Sequence, residues 1–354
     1  MRLRHAKFQW DIFCGASRVF INVLNDPSSR LVGLACFQSK FFSDGVEMGS
    51  LVDRIARSRG YFIALALCLL ASAKNPVSFL HAQNVAKLAE PSVQVTSALG
   101  RKLYSLRDDE NVTTARKKLA ADPKNVALVL ALSKAEAGRR QYREAVATCT
   151  KGLLAAPNDA DLYVERGHRE LGLREFRPAL RDLKRATELA PDNLDAHYHL
   201  GLAHYFLGEF SAAAASFEAA RALAKNNDSL IDCSNWLYVS LRRAGLEARA
   251  SEALARITPE VKNTEPHLYF YLRLLHFYQG KLKESEVLPP PPTKPDDVEA
   301  ELSFNTVSYG VGNWHLYHHE TSQAMSLFDQ VVKGEAWNSW GFIGSEVELA
   351  HAKK

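Results

Sequence analysis

Cysteine is scarce in this chain and is nowhere arranged for chemistry. There are five, and no two stand in a CxxC or Cys/His ligand spacing, so a structural zinc site has no support. The catalytic signatures are missing as well: no P-loop, no dinucleotide fingerprint, no GxSxG and no HExxH. That removes the commonest nucleotide-dependent, α/β-hydrolase and zinc-protease readings. An excess of one charge is also absent. The formal net charge is +4, but residues 1–82 hold ten Lys/Arg against five Asp/Glu, leaving 34 basic and 35 acidic residues in 83–354. A broad electrostatic footprint for nucleic acid is therefore excluded from the folded part. The apolar run Tyr61–Leu70 is ten residues long, half of the ~20 a comfortable membrane span requires.

That run has a recognisable setting. Arg54, Arg57 and Arg59 precede it and Ala71-Ser72-Ala73 follow, so residues 48–82 resemble a bacterial secretory signal peptide with its hydrophobic core at 61–70. Cleavage falls after Ala73, or alternatively after Ala82. Leu67 before Cys68 argues against a lipid-attachment site. About fifty residues stand ahead of the arginines, and Met48 sits just upstream of them. Residues 1–47 are accordingly read as an over-extended or disordered N-terminus. The rivals are an inner-membrane anchor through 61–79 and a buried helix at 61–73. The expected localisation is the periplasm or another exported site in a bacterial envelope.

The rest of the chain keeps time. Pro123, Pro157 and Pro191 are 34 residues apart, and Ala145, Ala179 and Ala213 share that spacing, as do Gly152, Ala186 and Ala220. Tyr142, Phe176 and Phe210 mark it with aromatics. A period in the range of about 20–50 residues is the signature of a solenoid, whose units bury their apolar faces only by stacking. Units are expected at 126–159, 160–193 and 194–227, with a degenerate fourth at 228–261 and a partial one at 262–288. The proline run Pro289–Pro292 marks a linker over 289–296, rigid and extended. Residues 297–354 make one more hairpin and a lone amphipathic helix, Ser339–Ala352, that caps the last unit. Upstream, 83–125 reads as an N-terminal cap of two helices, Ser92–Leu106 and Val112–Ala121.

These units resemble tetratricopeptide repeats. Val129, Tyr163 and His197 stand at the bulky fourth place. Leu200-Gly201 match the seventh and eighth places in full, Leu132 and Gly167 in part, and alanine holds the twentieth place in all three units. The resemblance implies an all-α, right-handed superhelix of about five to six helical hairpins with capping helices. It also implies a concave groove lined by the first helix of each hairpin. At the lining places stand His168, Tyr198, Leu202, Tyr205 and Trp236, with Asp195 setting the charge preference. Chaperone-binding members of the family hold a peptide carboxylate there with lysine and asparagine. In this chain Lys134 matches, but Leu130, Glu165, Asp195 and His199 occupy the other places, so no such clamp is expected. Tyr198, Tyr205 and Trp236 beside Asp161, Asp195 and Asp232 instead suit a segment with apolar anchors and some basic residues.

The functional expectation is a non-catalytic scaffold for a protein or peptide partner, without catalytic residues, cofactor, metal or nucleic acid, touching a membrane only through an uncleaved leader. The alternatives are an enzyme subunit with its site in 297–354, where Trp314, Trp337 and Trp340 cluster, and a self-associating structural oligomer. His168, His197, His199 and His204 are read as packed or groove-lining in preference to metal ligands. His315, His318 and His319 are read as polar surface, and Cys149 and Cys233, two stacked units apart, as small buried side chains beyond disulfide reach.

Overall fold

Helices begin where an Asx residue follows each loop proline by two positions. Asn125, Asp159 and Asn193 accept the backbone N–H of Leu128, Leu162 and Ala196, satisfying one orphan donor at each helix start. The computed structural model describes residues 8–14, 17–23, 91–266, 268–294 and 297–353. The signal-peptide and anchor readings lie outside the described residues. Two units are distinguished, 1–82 and 83–354. In the first, β1 (Phe8–Cys14) and β2 (Ser17–Val23) form an antiparallel hairpin, with Phe8 opposite Val23 and Cys14 opposite Ser17.

The second unit opens with another hairpin, β3 (Val93–Thr96) and β4 (Lys102–Tyr104). A helix over Ser92–Leu106 was the expectation, and the structure corrects it. Val93, Val95 and Thr96 are β-branched, and Gly100 turns the chain at φ +86°, a conformation L side chains avoid. Then come α1 (Glu110–Ala121) and the three regular hairpins: α2 (Val126–Gly138) with α3 (Tyr142–Ala155), α4 (Ala160–Gly172) with α5 (Phe176–Leu189), and α6 (Leu194–Phe206) with α7 (Phe210–Ala222). A longer first helix, α8 (Asn227–Arg243), pairs with α9 (Glu247–Ala255). After α10 (Leu268–Tyr278), the partner is a single turn, α11 (Glu284–Val287), stopped by the proline run. The chain ends in α12 (Val298–Tyr317), α13 (Thr321–Val331) and α14 (Trp340–Ala352).

Small residues sit where helices cross. A Cβ on Gly201 of α6 would meet the Phe217 ring of α7 at 2.7 Å. That ring is fully buried, so the glycine is what lets the two axes approach.

The last helix does more than close the end of the array. One side of α14 packs on α12 and α13, as a cap would; the other lies along the inner faces of α4, α6 and α8. Trp340 packs against His168, His199 and Phe206. Glu346 pairs with Arg174 at 2.9 Å and Glu348 with Arg243 at 2.6 Å. The β3–β4 hairpin reaches the same place. Trp337 donates its indole N–H to the Tyr104 carbonyl, Arg101 donates to the carbonyls of Val332 and Gly334, and the Ala98 N–H donates to Glu346. Within this unit the two ends of the helical array are thus tied together. Val95, Leu103, Tyr142, Trp337 and Phe342 share one buried cluster there.

The turns inside the hairpins are adapted to that closure. Residues 140, 174 and 208 occupy equivalent turns with left-handed backbone, and only the last is glycine: Arg140 has φ 55°, Arg174 φ 64° and Gly208 φ 77°. A non-glycine there costs about 1 kcal/mol. Both arginines use the position to reach the C-terminal segment, Arg140 donating to the Glu335 carbonyl and Arg174 to the Trp337 carbonyl and Glu346.

Candidate functional site

Folding the C-terminal segment into the groove covers much of the inner surface, and a cleft of about 780 Å³ opens beside it. That volume lies within the range of ~300–1,000 Å³ usual for ligand sites. One wall is α2 and α4, contributing Lys134, Ala137, Gly138, His168 and Arg169. Facing it are Phe270 and Tyr271 of α10 and Glu299, Leu302 and Thr306 of α12, with Asn338 and Trp340 at the floor.

His168 is the candidate groove residue that the cleft keeps. Its ring stacks on His199 at a centroid separation of 4.2 Å and on Trp340 at 5.3 Å. Neither ring nitrogen has a hydrogen-bond partner among the described residues. Burial first, and then the charges of Arg169, His199 and Lys134, push its imidazole well below the usual histidine range, so it is neutral at pH 7. Burial also lowers His199, whose Nδ1 bonds the Asp195 carbonyl at 2.8 Å. Arg169 is held by both oxygens of Glu165, at 2.9 and 3.1 Å.

The other candidates are placed differently from the expectation. Tyr198, Leu202, Tyr205 and Trp236 are buried, so the groove-lining reading is corrected for all four. Tyr198 donates to Asp232 at 2.9 Å, and Tyr205 donates to Asn313 of α12 at 2.9 Å. Trp236 lies between Phe217 and Tyr309. For Tyr205 and Trp236 the physical reason is coverage by α12, through Asn313 and Tyr309, whereas Tyr198 packs within the repeats on Phe217 and Asp232. Asp195 is exposed on the first turn of α6 and does not line the cleft. His315 also departs from its surface reading. It is buried between Glu284 at 3.2 Å and Glu320 at 2.5 Å, because α11 and the α12–α13 turn close over it.

Phe270, Tyr271, Leu302, Thr306 and Asn338 were not singled out from sequence. No spacing could have found them, since they face the first repeats across the molecule. The tryptophans that marked 297–354 have separate surroundings: Trp337 is buried against Tyr142, Trp314 stacks on His318 and Phe277, and Trp340 faces the cleft. Cys149 and Cys233 are buried free thiols, and burial pushes the Cys149 thiol up to about 12. Among the described residues no three His, Cys, Asp or Glu are placed to hold a metal ion, and no helix is long and apolar enough to cross a membrane.

Two carboxyls, buried Glu170 and half-buried Asp232, predict how stability varies with pH. Burial lifts Glu170 to about 8, helped by the Asp182 charge, and lifts Asp232 to about 7 against the hydrogen bond from Tyr198. Their unfolded values are about 4.3 and 3.9. The native state therefore binds more protons than the unfolded state across this interval, and stability falls as pH rises. His168 and His199 act in the opposite direction below about pH 6.5, so the window from about pH 6.5 to 8.5 isolates the carboxyls. Urea midpoints are expected to fall across that window in the natural chain and to change less in a Glu170→Gln/Asp232→Asn variant. Equal slopes in the two proteins would show that both groups are ionised in the native state.

The geometry defines a class, an all-α array of stacked helical hairpins of the tetratricopeptide type. No protein-family model matches the chain, and no curated sequence matches it significantly. Solved structures that it is similar to include a tetratricopeptide repeat protein from Parabacteroides merdae (17% identical, 68% of this chain and 91% of that one, TM-score 0.42). Another is YrrB, described as a TPR protein with an unusual peptide-binding site (15% identical, 68% and 98%, TM-score 0.38). A third is MamA (22% identical, 48% and 90%, TM-score 0.37). Likeness at this level says nothing about a partner.

Proposed function

We propose that this chain is a non-catalytic binding scaffold whose working surface is the cleft between α2/α4 and α10/α12, and that it takes up a segment of a protein partner. The carrying observation is the cleft itself, an opening of about 780 Å³ that brings aromatic faces together with Lys134 and His168, neither of which is paired among the described residues. Phe270, Tyr271 and Trp340 offer flat apolar contact; His168 offers a neutral ring with neither nitrogen bonded among the described residues. Such a mixture suits recognition by a few anchors. A preformed wall of stacked helices lowers the ordering cost of binding. We place the protein in the bacterial envelope, on the strength of the leader-like stretch 48–82.

Gly138 supplies the test. It is exposed at the end of α2, lines the cleft, and a Cβ built on it meets nothing within 4 Å. Gly138→Trp should therefore obstruct the α2 side of the opening without disturbing the fold. Helical circular dichroism is expected to be unchanged, while partner recovered from envelope extract on the immobilised chain falls at least about tenfold, roughly 1.4 kcal/mol. Undiminished recovery would move the binding surface elsewhere.

A further inference from the structure

We propose that the proline run between α11 and α12 is a second docking surface, a ridge read by a protein domain with a shallow aromatic-lined groove and a carboxylate at one end. None of residues 288–294 lines the cleft, so this reading stands apart from the one above. The conformation of the ridge follows from its sequence. Each proline ring fixes φ at about −65° and pushes the residue before it into extended backbone. Leu288 and Pro289–Pro292 are therefore restricted to a left-handed polyproline helix, and Leu288 enters it at φ −71° and ψ 112°.

That helix makes about three residues per turn, and the exposure of the segment has the same period. Pro289 and Pro292 are half-buried, whereas Pro290, Pro291, Thr293 and Lys294 are exposed. One edge of the ridge rests on the protein and two face outward. Both ends are held. Buried Val287 and half-buried Leu288 seat its start on the core, and the Leu288 N–H donates to the Glu284 carbonyl at 2.9 Å. At the far end the Asp297 N–H donates to the Lys294 carbonyl at 3.3 Å, and the Asp297 side chain caps α12 through the Ala300 N–H. A segment fixed in advance loses little conformational freedom when it is bound.

The atoms of the ridge limit what can read it. Four prolines offer no N–H, so a strand cannot be added along them. Their carbonyls accept no hydrogen bond among the described residues. Tryptophan and tyrosine supply the missing donors from the rims of flat apolar rings, and such rings also fill the notches between successive prolines. Charge decides which way the ridge lies in the groove. Lys294 is exposed where the chain bends at the C-terminal end, and it forms no ion pair among the described residues. A carboxylate of the partner completes that pair.

The experiment titrates the full chain into purified domains of the SH3 and WW types, whose aromatic grooves serve as probes. Amide chemical shifts of the isotope-labelled domains are the readout. Shifts confined to the groove are expected, with affinity at least equal to that of the free heptapeptide Leu-Pro-Pro-Pro-Pro-Thr-Lys. Pro290→Ala/Pro291→Ala changes only exposed side chains, so helical circular dichroism should hold while binding weakens about tenfold. Lys294→Glu should weaken binding about threefold and reduce its salt dependence. Gly138→Trp should leave the shifts intact; their loss in that variant would assign them to the cleft and overturn the proposal. Three other results would also overturn it: no groove shifts in any domain, equal binding by the double proline variant, or binding by the heptapeptide that the folded chain does not reproduce. Natural affinity in Lys294→Glu would overturn the carboxylate assigned to the partner.

Discussion

Replacing Glu346 by alanine is expected to cost about 3–5 kcal/mol, the range for removing one partner of a buried ion pair. The Glu346 side chain is 1% exposed and that of Arg174 is 10% exposed. The substitution leaves the guanidinium buried without its counter-charge and also strips the acceptor from the Ala98 N–H. Arg174 sits at a positive φ, so Arg174→Gly relieves about 1 kcal/mol of backbone strain while losing the pair, and it should be the milder change. Arg174→Met/Glu346→Leu should recover much of the loss, since an apolar pair of similar volume avoids the desolvation of two charges. Urea unfolding measures the totals. Hydrogen exchange should locate the first loss of protection in α14 and the β3–β4 hairpin. A Glu346→Ala protein with unchanged stability and a protected α14 would mean that the C-terminal helix is held by its apolar face alone.

Gly341→Ala should be nearly as damaging for a different reason. A Cβ there would lie 2.2 Å from the Asn305 carbonyl oxygen and 2.6 Å from its carbon. The obstacle is backbone inside α12, which no rotamer change can move. Helix α14 must then shift away from α12, carrying Phe342 and Ile343 out of the core, at a cost of about 3 kcal/mol, the upper part of the usual range for overpacking. Gly138→Ala is the control. Its Cβ meets nothing within 4 Å, so it should be neutral or stabilising by up to about 1 kcal/mol. Thermal unfolding of the two variants should therefore move apart. Coincident melting curves would show that the α12–α14 crossing adapts to an added methyl.

The repeat positions make plain how far the sequence could be followed. Lys134, His168, Leu202 and Trp236 occupy the same place in successive units, 34 residues apart, and the inner face is legible from them. In the structure the first two border the cleft, while the last two lie beneath α12 and α14. Nothing in the spacing distinguishes the pairs, because the covering helices come from well beyond one repeat downstream, at 298–317 and 340–352. The same distance hid Phe270, Tyr271 and Leu302. The β3–β4 hairpin was missed for a local reason. Val93 and Val95 alternate with Ser92, Gln94 and Thr96 as a strand does, with Gly100 at the turn, but the run is short and abuts helical sequence.

What the chain determined by itself was therefore local and periodic: where helices start and stop, which residues let two helices touch, and that hairpins follow one another along a common axis. Each of those is settled between residues less than one repeat apart, by capping, side-chain volume and backbone sterics. Which part of the inner face stays open was decided by tertiary structure. Buried pairs between Arg174 and Glu346 and between Arg243 and Glu348 hold the final helix inside the array. Charges that meet only after the whole array has stacked leave no periodic trace in the order of the residues.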